Sequence, residues 1–169
     1  MKIDTNPPRT NRAVPHTTAL DAYPLSVAAW VKFGSTTGRG GIVNKYVIGA
    51  YNGYQVFTEG NGTLCAWYFK DRSNGVYDGT ACTLKTVGYA DDRWHRVVFV
   101  VDNAGGRLYV DGVLTASQAW TGLPGPATTT QPLELGVYPG LPGGWYFFGA
   151  VDDVRIYNRA LSATEVATP

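Results

Sequence analysis

Apolar and polar residues alternate along much of this chain with the period of two that is typical of β-strands. The pattern is clearest over residues 25–33, where every odd-numbered position is apolar. Clusters of Gly, Pro, Asn and Asp separate such runs and favour turns. Near the C-terminus, the spacing of Ser162 and Glu165 predicts the capping box of a short helical turn. We therefore predict an all-β fold that closes with one helical turn.

The densest part of the pattern, residues 94–114, predicts three strands joined by two tight turns. Asp111-Gly112 is a favoured two-residue hairpin turn, and it places Val110 opposite Val113. The first of these strands is apolar on both faces over residues 97–101. Because a strand in a two-layer sandwich normally has one solvated face, we expect long loops of this chain or a partner to cover the second face.

Asn-Gly pairs predict two further hairpins. One turns at Asn52-Gly53, and the other is expected to turn between Ser73 and Asn74. A turn centred there places Cys65 opposite Cys82, with Cα atoms about 4.5–5.5 Å apart, which is within disulfide range. Two interpretations stay open, a disulfide and a pair of reduced thiols.

Four segments of the sequence match a known family pattern. They are Leu-Ser-Val-Ala-Ala-Trp-Val at 25–31, Trp-His-Arg-Val at 94–97, Leu-Tyr-Val-Asp-Gly at 108–112 and Val-Asp-Asp-Val-Arg-Ile-Tyr-Asn-Arg-Ala-Leu-Ser at 151–162. In these segments the chain resembles the laminin G-like branch of the concanavalin A-like lectin/glucanase superfamily, over roughly residues 12–166. The resemblance implies an antiparallel two-sheet β-sandwich with jelly-roll topology. It leaves function open, because such folds host lectins, glycosidases and structural modules.

The chain length suits one domain, which we place at residues 16–169. Residues 1–15 contain three prolines and favour an extended N-terminal arm. The arm is either a terminus without fixed structure or a segment that docks on a neighbouring subunit through Arg9 and Arg12.

The net charge of +1 gives no broad field that would attract nucleic acid or an anionic membrane. No segment approaches the roughly 18 consecutive apolar residues of a transmembrane helix, and the first residues lack the apolar core of a signal peptide. We therefore expect no nucleic-acid partner and no membrane insertion. The chain would stay inside the cell or reach the outside without an ordinary export signal, as a virion protein released by lysis does. The alternative is a mature chain that has already lost its signal peptide.

Catalytic motifs are missing from the sequence. Glucanases of the resembled superfamily carry Glu-x-Asp-x-x-Glu on one strand, and none of Glu59, Glu134 and Glu165 begins that motif. His16 and His95 are the only histidines, and no Gly-x-Ser-x-Gly elbow or zinc-binding Cys/His spacing accompanies them. We therefore predict that the protein is not an enzyme and needs no cofactor.

Calcium is the one ion that the resemblance leaves open, because some relatives bind it through loop carboxylates. The carboxylates available are Asp71, Asp78, Asp91, Asp92, Asp152 and Asp153. None has the spacing of an EF-hand, and we expect no metal site. We expect Asp152 to accept hydrogen bonds from backbone N–H groups instead.

Two loops rich in Gly and Pro, at residues 120–132 and 138–146, carry the aromatic residues Trp120, Tyr138, Trp145 and Tyr146. Prolines reduce the conformational freedom of such loops, so their aromatic rings are displayed at low entropic cost. The rings suit a protein contact surface, a platform on which sugars stack, or a cap on the sandwich edge, and we favour them in that order.

Our leading hypothesis from the sequence is a non-catalytic structural module. It would decorate an assembled particle, such as a bacteriophage virion, and bind other protein subunits or copies of itself. The alternative is a lectin-like module that recognises cell-surface glycans outside the cell. The two hypotheses share the fold and differ in what the aromatic loops contact.

Overall fold

A computed structural model describes residues 3–4, 11–34, 38–138 and 144–168 of the chain. The strands are β1 (Ile3–Asp4), β2 (Arg12–Val14), β3 (Leu25–Phe33), β4 (Gly40–Val47), β5 (Asn52–Glu59), β6 (Thr63–Asp71), β7 (Asn74–Val76), β8 (Leu84–Thr86), β9 (Trp94–Asp102), β10 (Gly105–Val110), β11 (Val113–Gln118), β12 (Leu133–Leu135), β13 (Val137–Tyr138), β14 (Trp145–Tyr146) and β15 (Gly149–Tyr157). Single 3-10 turns lie at Thr18–Asp21 and Gly60–Gly62, and the helix α1 (Ala163–Ala167) follows β15.

The strands form two sheets, which confirms the predicted β-sandwich of jelly-roll type. The six-stranded sheet has the order β1-β15-β3-β9-β10-β11. The nine-stranded sheet has the order β13-β14-β4-β5-β6-β7, with β12 pairing with β4 and β2, and β8 pairing with β6. Neighbouring strands are antiparallel, apart from the parallel contact between β14 and β4.

The core lies between the inner faces of the two sheets. β3 has its predicted bounds, and its odd-numbered residues are buried in this core. From the nine-stranded sheet, Tyr54 and Val56 of β5 and Ala66 and Tyr68 of β6 enter the same core. Because side chains alternate along a strand, the odd-numbered residues of β5 and β6 lie on the outer face of the nine-stranded sheet.

The hairpin of β10 and β11 has the predicted register, with Val110 opposite Val113. The second apolar face of β9 is covered, but the expected covers, long loops or a partner, were wrong. The C-terminal segment provides the cover, because Val98 and Val100 pack against Leu161 and Val166.

The predicted capping box of α1 is confirmed. The Ser162 hydroxyl accepts the backbone N–H of Glu165 at 3.2 Å, and the Glu165 carboxylate accepts the backbone N–H of Ser162 at 2.9 Å. At the other end of the helix, Arg96 of β9 donates to the carbonyl oxygen of Val166 at 2.5 Å. Both ends of α1 are therefore held by hydrogen bonds.

The described parts of the N-terminal arm lie on sheets of this chain. β1 pairs with β15, with Ile3 opposite Val151, and β2 pairs with β12, with Arg12 opposite Leu135. Arg12 is exposed, and Arg9 lies outside the described residues. Docking of the arm on a neighbouring subunit stays a prediction, as does a domain boundary at residue 15. Within the described residues, no helix is long and apolar enough to cross a membrane.

The hairpin of β4 and β5 turns three residues earlier than its Asn-Gly pair suggests. Val47 lies opposite Asn52, so the turn spans residues 48–51, and the predicted turn at Asn52-Gly53 was wrong. Gly53 lies inside β5 with a φ of +115°, where a Cβ atom would overlap the carbonyl oxygen of Lys45. The glycine therefore serves close strand approach and not the turn.

Cys65 and Cys82 form a disulfide, with their Cα atoms 5.3 Å apart. The register that suggested it was wrong, because Asp71 lies opposite Asn74 and the β6–β7 turn is one residue earlier than predicted. Cys65 lies opposite Lys85 of β8. Cys82 reaches Cys65 from the loop between β7 and β8, which therefore lies against the outer face of the nine-stranded sheet.

Candidate functional site: an aromatic cleft

Aromatic side chains cover part of the outer face of the nine-stranded sheet. Tyr46 of β4, Phe57 of β5, and Trp67 and Phe69 of β6 form this aromatic floor, and each is at most 6% exposed. The ring centroids of Phe57 and Trp67 are 4.9 Å apart, and those of Tyr46 and Trp67 are 5.7 Å apart. The floor is continuous across three neighbouring strands.

A cleft with a volume of about 200 Å³ opens above this floor. Besides floor residues, Arg39, Tyr51, Tyr77, Ala81 and Tyr138 line it. Pockets for drug-sized ligands start at about 300 Å³, so the cleft suits one ring-sized unit of a larger ligand.

Arg39 lies among the rings at one part of the cleft. The central carbon of its guanidinium group is 4.9 Å from the ring centroid of Phe57, 5.6 Å from that of Trp67, and 5.2 Å from those of Tyr138 and Trp145. These distances are within the range of cation–π attraction. Arg39 is thereby fixed as part of the cleft lining.

The polar contacts of Arg39 fix it further. Its Nε atom donates to Glu59 at 2.7 Å, and its Nη2 atom also contacts Glu59 and donates to the carbonyl oxygen of Ala81 at 3.3 Å. Its Nη1 atom donates to the Tyr138 hydroxyl at 3.4 Å. The carboxylate of Glu59, beside the cleft, therefore neutralises the charge of Arg39 in the cleft lining.

Three buried polar atoms on the same face lack a hydrogen-bond partner within the described residues. They are Nε1 of Trp67, Oε1 of Gln55 and Oδ1 of Asn44. Asn44 and Gln55 lie opposite each other on β4 and β5, and Gln55 lies opposite Trp67 of β6. Of the three residues, Trp67 lines the cleft, and its indole N–H is a donor that suits a ligand hydroxyl.

Tyrosine hydroxyls add to this capacity. Burial raises the pKa of Tyr46 far above its usual value of 10.0, and nearby tyrosines raise it further. Its hydroxyl therefore stays neutral at physiological pH, so that it both donates and accepts hydrogen bonds.

The disulfide holds one side of the cleft. Cys65 is fully buried in the same cluster as Phe57 and Trp67. Cys82 follows Ala81, which lines the cleft and accepts the N–H of Arg39. The bond therefore fixes the loop of residues 77–83 relative to the aromatic floor.

The structure brings together two of the four predicted aromatic site residues. Tyr138 and Trp145 lie opposite each other on β13 and β14, and their ring centroids are 5.2 Å apart beside Arg39. Tyr146 follows Trp145 on the strand, so its side chain projects to the other side. The binding roles of these residues stay predictions.

Trp120 lies elsewhere, against the inner side of the sheet. Its indole Nε1 donates to the carbonyl oxygen of Asp102 at 2.7 Å. Its ring makes edge contacts with Tyr23 and Tyr68, at centroid distances of 6.0 and 5.6 Å. These contacts give Trp120 a structural role, which corresponds to the third interpretation of the aromatic loops.

The sequence interpretation missed Arg39, Glu59 and the aromatic floor. A signal was available, because the odd-numbered positions of β5 and β6 carry Phe57, Trp67 and Phe69 while their even-numbered positions are also apolar. Apolar residues on both faces of β9 predicted that its second face is covered, and the same pattern is present in β5 and β6.

The glutamates do not form a glycosidase pair. Glu59 contacts Arg39, Glu134 accepts the Asn11 amide at 3.3 Å, and Glu165 belongs to the capping box. A glycosidase needs two carboxylates on either side of the scissile bond. Among the described residues that line the cleft, none carries a carboxylate.

Three of the aspartates considered as calcium ligands accept hydrogen bonds from nearby backbone N–H groups. No group of three or more His, Cys, Asp or Glu residues in the described ranges could hold a metal ion. The Asp71 carboxylate accepts the Ser73 N–H at 2.9 Å, and Asp78 accepts the Thr80 N–H at 2.9 Å. Asp152 accepts the N–H of Asp153 at 2.8 Å, which confirms its expected role. Each of these three carboxylates thus accepts a backbone hydrogen bond from a nearby residue.

Comparison with known proteins gives a family and several structural neighbours. A laminin G family model, described as the concanavalin A-like lectin/glucanases superfamily, matches residues 9–167. No curated protein matches the chain in sequence. The family match covers every element from β2 to α1.

Solved structures of similar fold include toxin and sialidase chains. Botulinum neurotoxin type C, which depends on interaction with two ganglioside molecules to enter cells, superposes with a TM-score of 0.70 at 11% identity over 98% of this chain and 40% of that chain. The binding domain of botulinum neurotoxin DC, solved in complex with rat synaptotagmin II, gives 0.68 at 12% identity over 98% and 41%. Trypanosoma rangeli sialidase gives 0.62 at 21% identity over 86% and 22%. This chain thus spans less than half of each neighbour, and the likeness concerns the fold.

Proposed function

Because the chain belongs to the concanavalin A-like lectin/glucanases superfamily, we propose that it is a non-catalytic module that binds carbohydrate in the aromatic cleft. Domains of the laminin G type are generally non-catalytic binding modules. From the sequence we favoured protein contacts over glycans, and the geometry of the cleft supports the reverse order.

One observation carries the proposal, the aromatic cleft itself. Sugar rings offer apolar C–H faces that stack on aromatic rings, while their hydroxyls need a few fixed donors and acceptors. For the first need, the cleft provides Tyr46, Trp67 and Phe69 of the floor together with the half-buried rings of Tyr51 and Tyr77. Trp67 Nε1 and the tyrosine hydroxyls that line the cleft provide for the second.

The disulfide supports a site of action outside the cell. Disulfides persist in oxidising environments and are rare in the reducing cytosol. The bond between Cys65 and Cys82 is buried on the Cys65 side and fixes part of the cleft. We therefore propose glycans of a cell surface or an extracellular matrix as the ligands.

The test is a glycan array with the purified chain, followed by calorimetric titration of the sugars that bind. Trp145 is 41% exposed beside Tyr138, and Trp94 on the six-stranded sheet is 37% exposed. A stacked ring contributes about 0.5–1.5 kcal/mol, so Trp145→Ala should weaken binding roughly two- to tenfold. Trp94→Ala is the matched control and should leave affinity unchanged.

Two results would count against glycan binding in this cleft. One is an array on which the folded wild-type chain binds nothing. The other is a Trp145→Ala variant that keeps full affinity together with a Tyr77→Ala variant that also keeps it, because both residues lie at the cleft. Thermal unfolding of each variant confirms that it is folded.

Decoration of a particle such as a virion, with other subunits as partners, stays a prediction. Two features that suggested it, the N-terminal arm and the second apolar face of β9, have partners within this chain. β1 and β2 of the arm pair with β15 and β12, and the second face of β9 is covered by Leu161 and Val166. Neither feature calls for a neighbouring subunit.

A further inference from the structure

We propose that the cleft selects an uncharged sugar unit, and that the ion pair of Arg39 and Glu59 excludes sugars that carry a carboxylate. The inference rests on the proposed glycan binding and adds the chemical class of the bound unit. It makes Glu59 a residue that determines specificity.

The donors of Arg39 are mostly engaged. An arginine has five N–H donors, and its strong sites for carboxylates use two parallel donors at once. In Arg39 the Nε atom and the Nη2 group are directed to Glu59 and Ala81, and Nη1 contacts the Tyr138 hydroxyl. A pair of free parallel donors does not remain for a second carboxylate.

Glu59 also opposes a second carboxylate directly. Its side chain is 27% exposed and that of Arg39 is 16% exposed, so solvent screens the pair only in part. A ligand carboxylate near Arg39 would lie close to the like charge of Glu59, which is unfavourable. An acidic sugar would therefore have to displace Glu59 from Arg39 before it bound.

The rest of the cleft suits hydroxyl groups. Tyr46, Tyr51, Tyr77 and Tyr138 line it with hydroxyl groups, which donate and accept hydrogen bonds. Outside it, the exposed Arg72 lies 5.0 Å from the ring centroid of Tyr51, where solvent and salt screen its charge. The polar chemistry of the lining is thus that of a neutral sugar.

The experiment uses pairs of methyl glycosides that differ only at carbon 6. Glucose, galactose and mannose are each compared with the matching uronic acid by NMR titration of the purified chain at neutral pH. For each sugar that binds, the uronic acid should bind at least tenfold more weakly. The ratio of the two affinities is the measured quantity.

Variants then locate the selectivity. Glu59→Gln removes the charge that holds Arg39, so the ratio of affinities should fall at least fivefold. Glu165→Gln on α1 is the matched control, since it removes the same charge from an ion pair with Arg159, and Gln keeps the capping-box spacing. It should leave both affinities unchanged.

The outcomes separate this inference from the proposed function. Equal or tighter binding of uronic acids, lost on Trp145→Ala, overturns the preference for neutral sugars and leaves the glycan cleft in place. An unchanged ratio in folded Glu59→Gln overturns the role of the ion pair. If no pair binds, the inference falls, and the glycan array decides separately whether the cleft binds carbohydrate.

Discussion

His95 lies between two carboxylates at the start of β9. Its Nδ1 atom is 2.7 Å from Asp111 and its Nε2 atom is 2.9 Å from Asp91. Both ring nitrogens donate only in the protonated imidazolium. Burial by itself lowers the pKa of His95, but the hydrogen bonds to Asp111 and Asp91 raise it more, so the net pKa lies above the usual 6.5.

The raised pKa predicts a pH dependence of stability. The contribution of His95 is fully present below its unfolded pKa of 6.5 and is lost as pH rises through the higher folded pKa. His95→Gln should remove this dependence. In urea unfolding, the free energy of unfolding of wild type should exceed that of the variant by more at about pH 5.5 than at about pH 8.5. This difference should change by less than about 1 kcal/mol between the two pH values, because the carboxylates are partly exposed. An equal difference at both pH values would contradict a protonated His95 held between Asp91 and Asp111.

Trp120 provides a second prediction at the scale of one residue. Trp120→Phe removes the donor to the Asp102 carbonyl, which should cost about 1–3 kcal/mol of unfolding free energy. Glycan affinity should not change, because Trp120 lies against Tyr23 and Tyr68 and away from the cleft residues. Urea unfolding and calorimetric titration check the two parts. Trp145→Ala should show the opposite pattern, and weaker glycan binding by Trp120→Phe would return Trp120 to the site.

The loop of residues 77–83 is the element whose position depends on the disulfide. Removing both cysteines, as Cys65→Ala with Cys82→Ala, should lower the unfolding free energy by about 2–4 kcal/mol. Binding should weaken as well, because the loop carries Tyr77 and Ala81 of the cleft. Calorimetry of the variant and of wild type, each with and without reductant, measures both effects. A folded variant with full affinity would show that the loop keeps its place without the bond.

For strands with one buried face, the local pattern of apolar residues was sufficient to predict bounds and register. β3 has its predicted bounds, and the β10–β11 turn has its predicted register because Asp111-Gly112 sets it. The predicted register of β4 and β5 was wrong, because a glycine that we assigned to the turn lies inside a strand. Gly53 allows close approach of β4 and β5, and its Asn-Gly signal suggested a turn three residues later than the observed one.

The same error concealed the candidate site. The observed β4–β5 register places Gly40 opposite Thr58. Arg39, which precedes Gly40, therefore contacts Glu59, which follows Thr58. The predicted turn would have separated them. The aromatic floor was hidden for another reason, since residue type alone does not distinguish an aromatic residue of the core from one on a covered outer face.

The N-terminal arm matters at the scale of the whole molecule. Deleting residues 1–15 removes β1 and β2 and exposes backbone groups of β15 and β12. Loss of about 1–3 kcal/mol would lower the melting temperature of the isolated chain by roughly 2–12 °C. Calorimetry and sedimentation velocity test this, with Arg12→Ala as the control that keeps the strand. An unchanged melting temperature would favour an arm that docks on another subunit.

The cover that the C-terminal segment gives to β9 has a consequence for how the protein is made. Translation produces β3 and β9 long before β15, which pairs with β3, and before Leu161 and Val166, which cover β9. Until then the apolar residues Val98 and Val100 face water on a nascent chain. Contacts this distant in sequence slow folding, and until they form, aggregation-prone apolar surface stays exposed. Ribosome-bound chains should therefore be the form that most needs a chaperone.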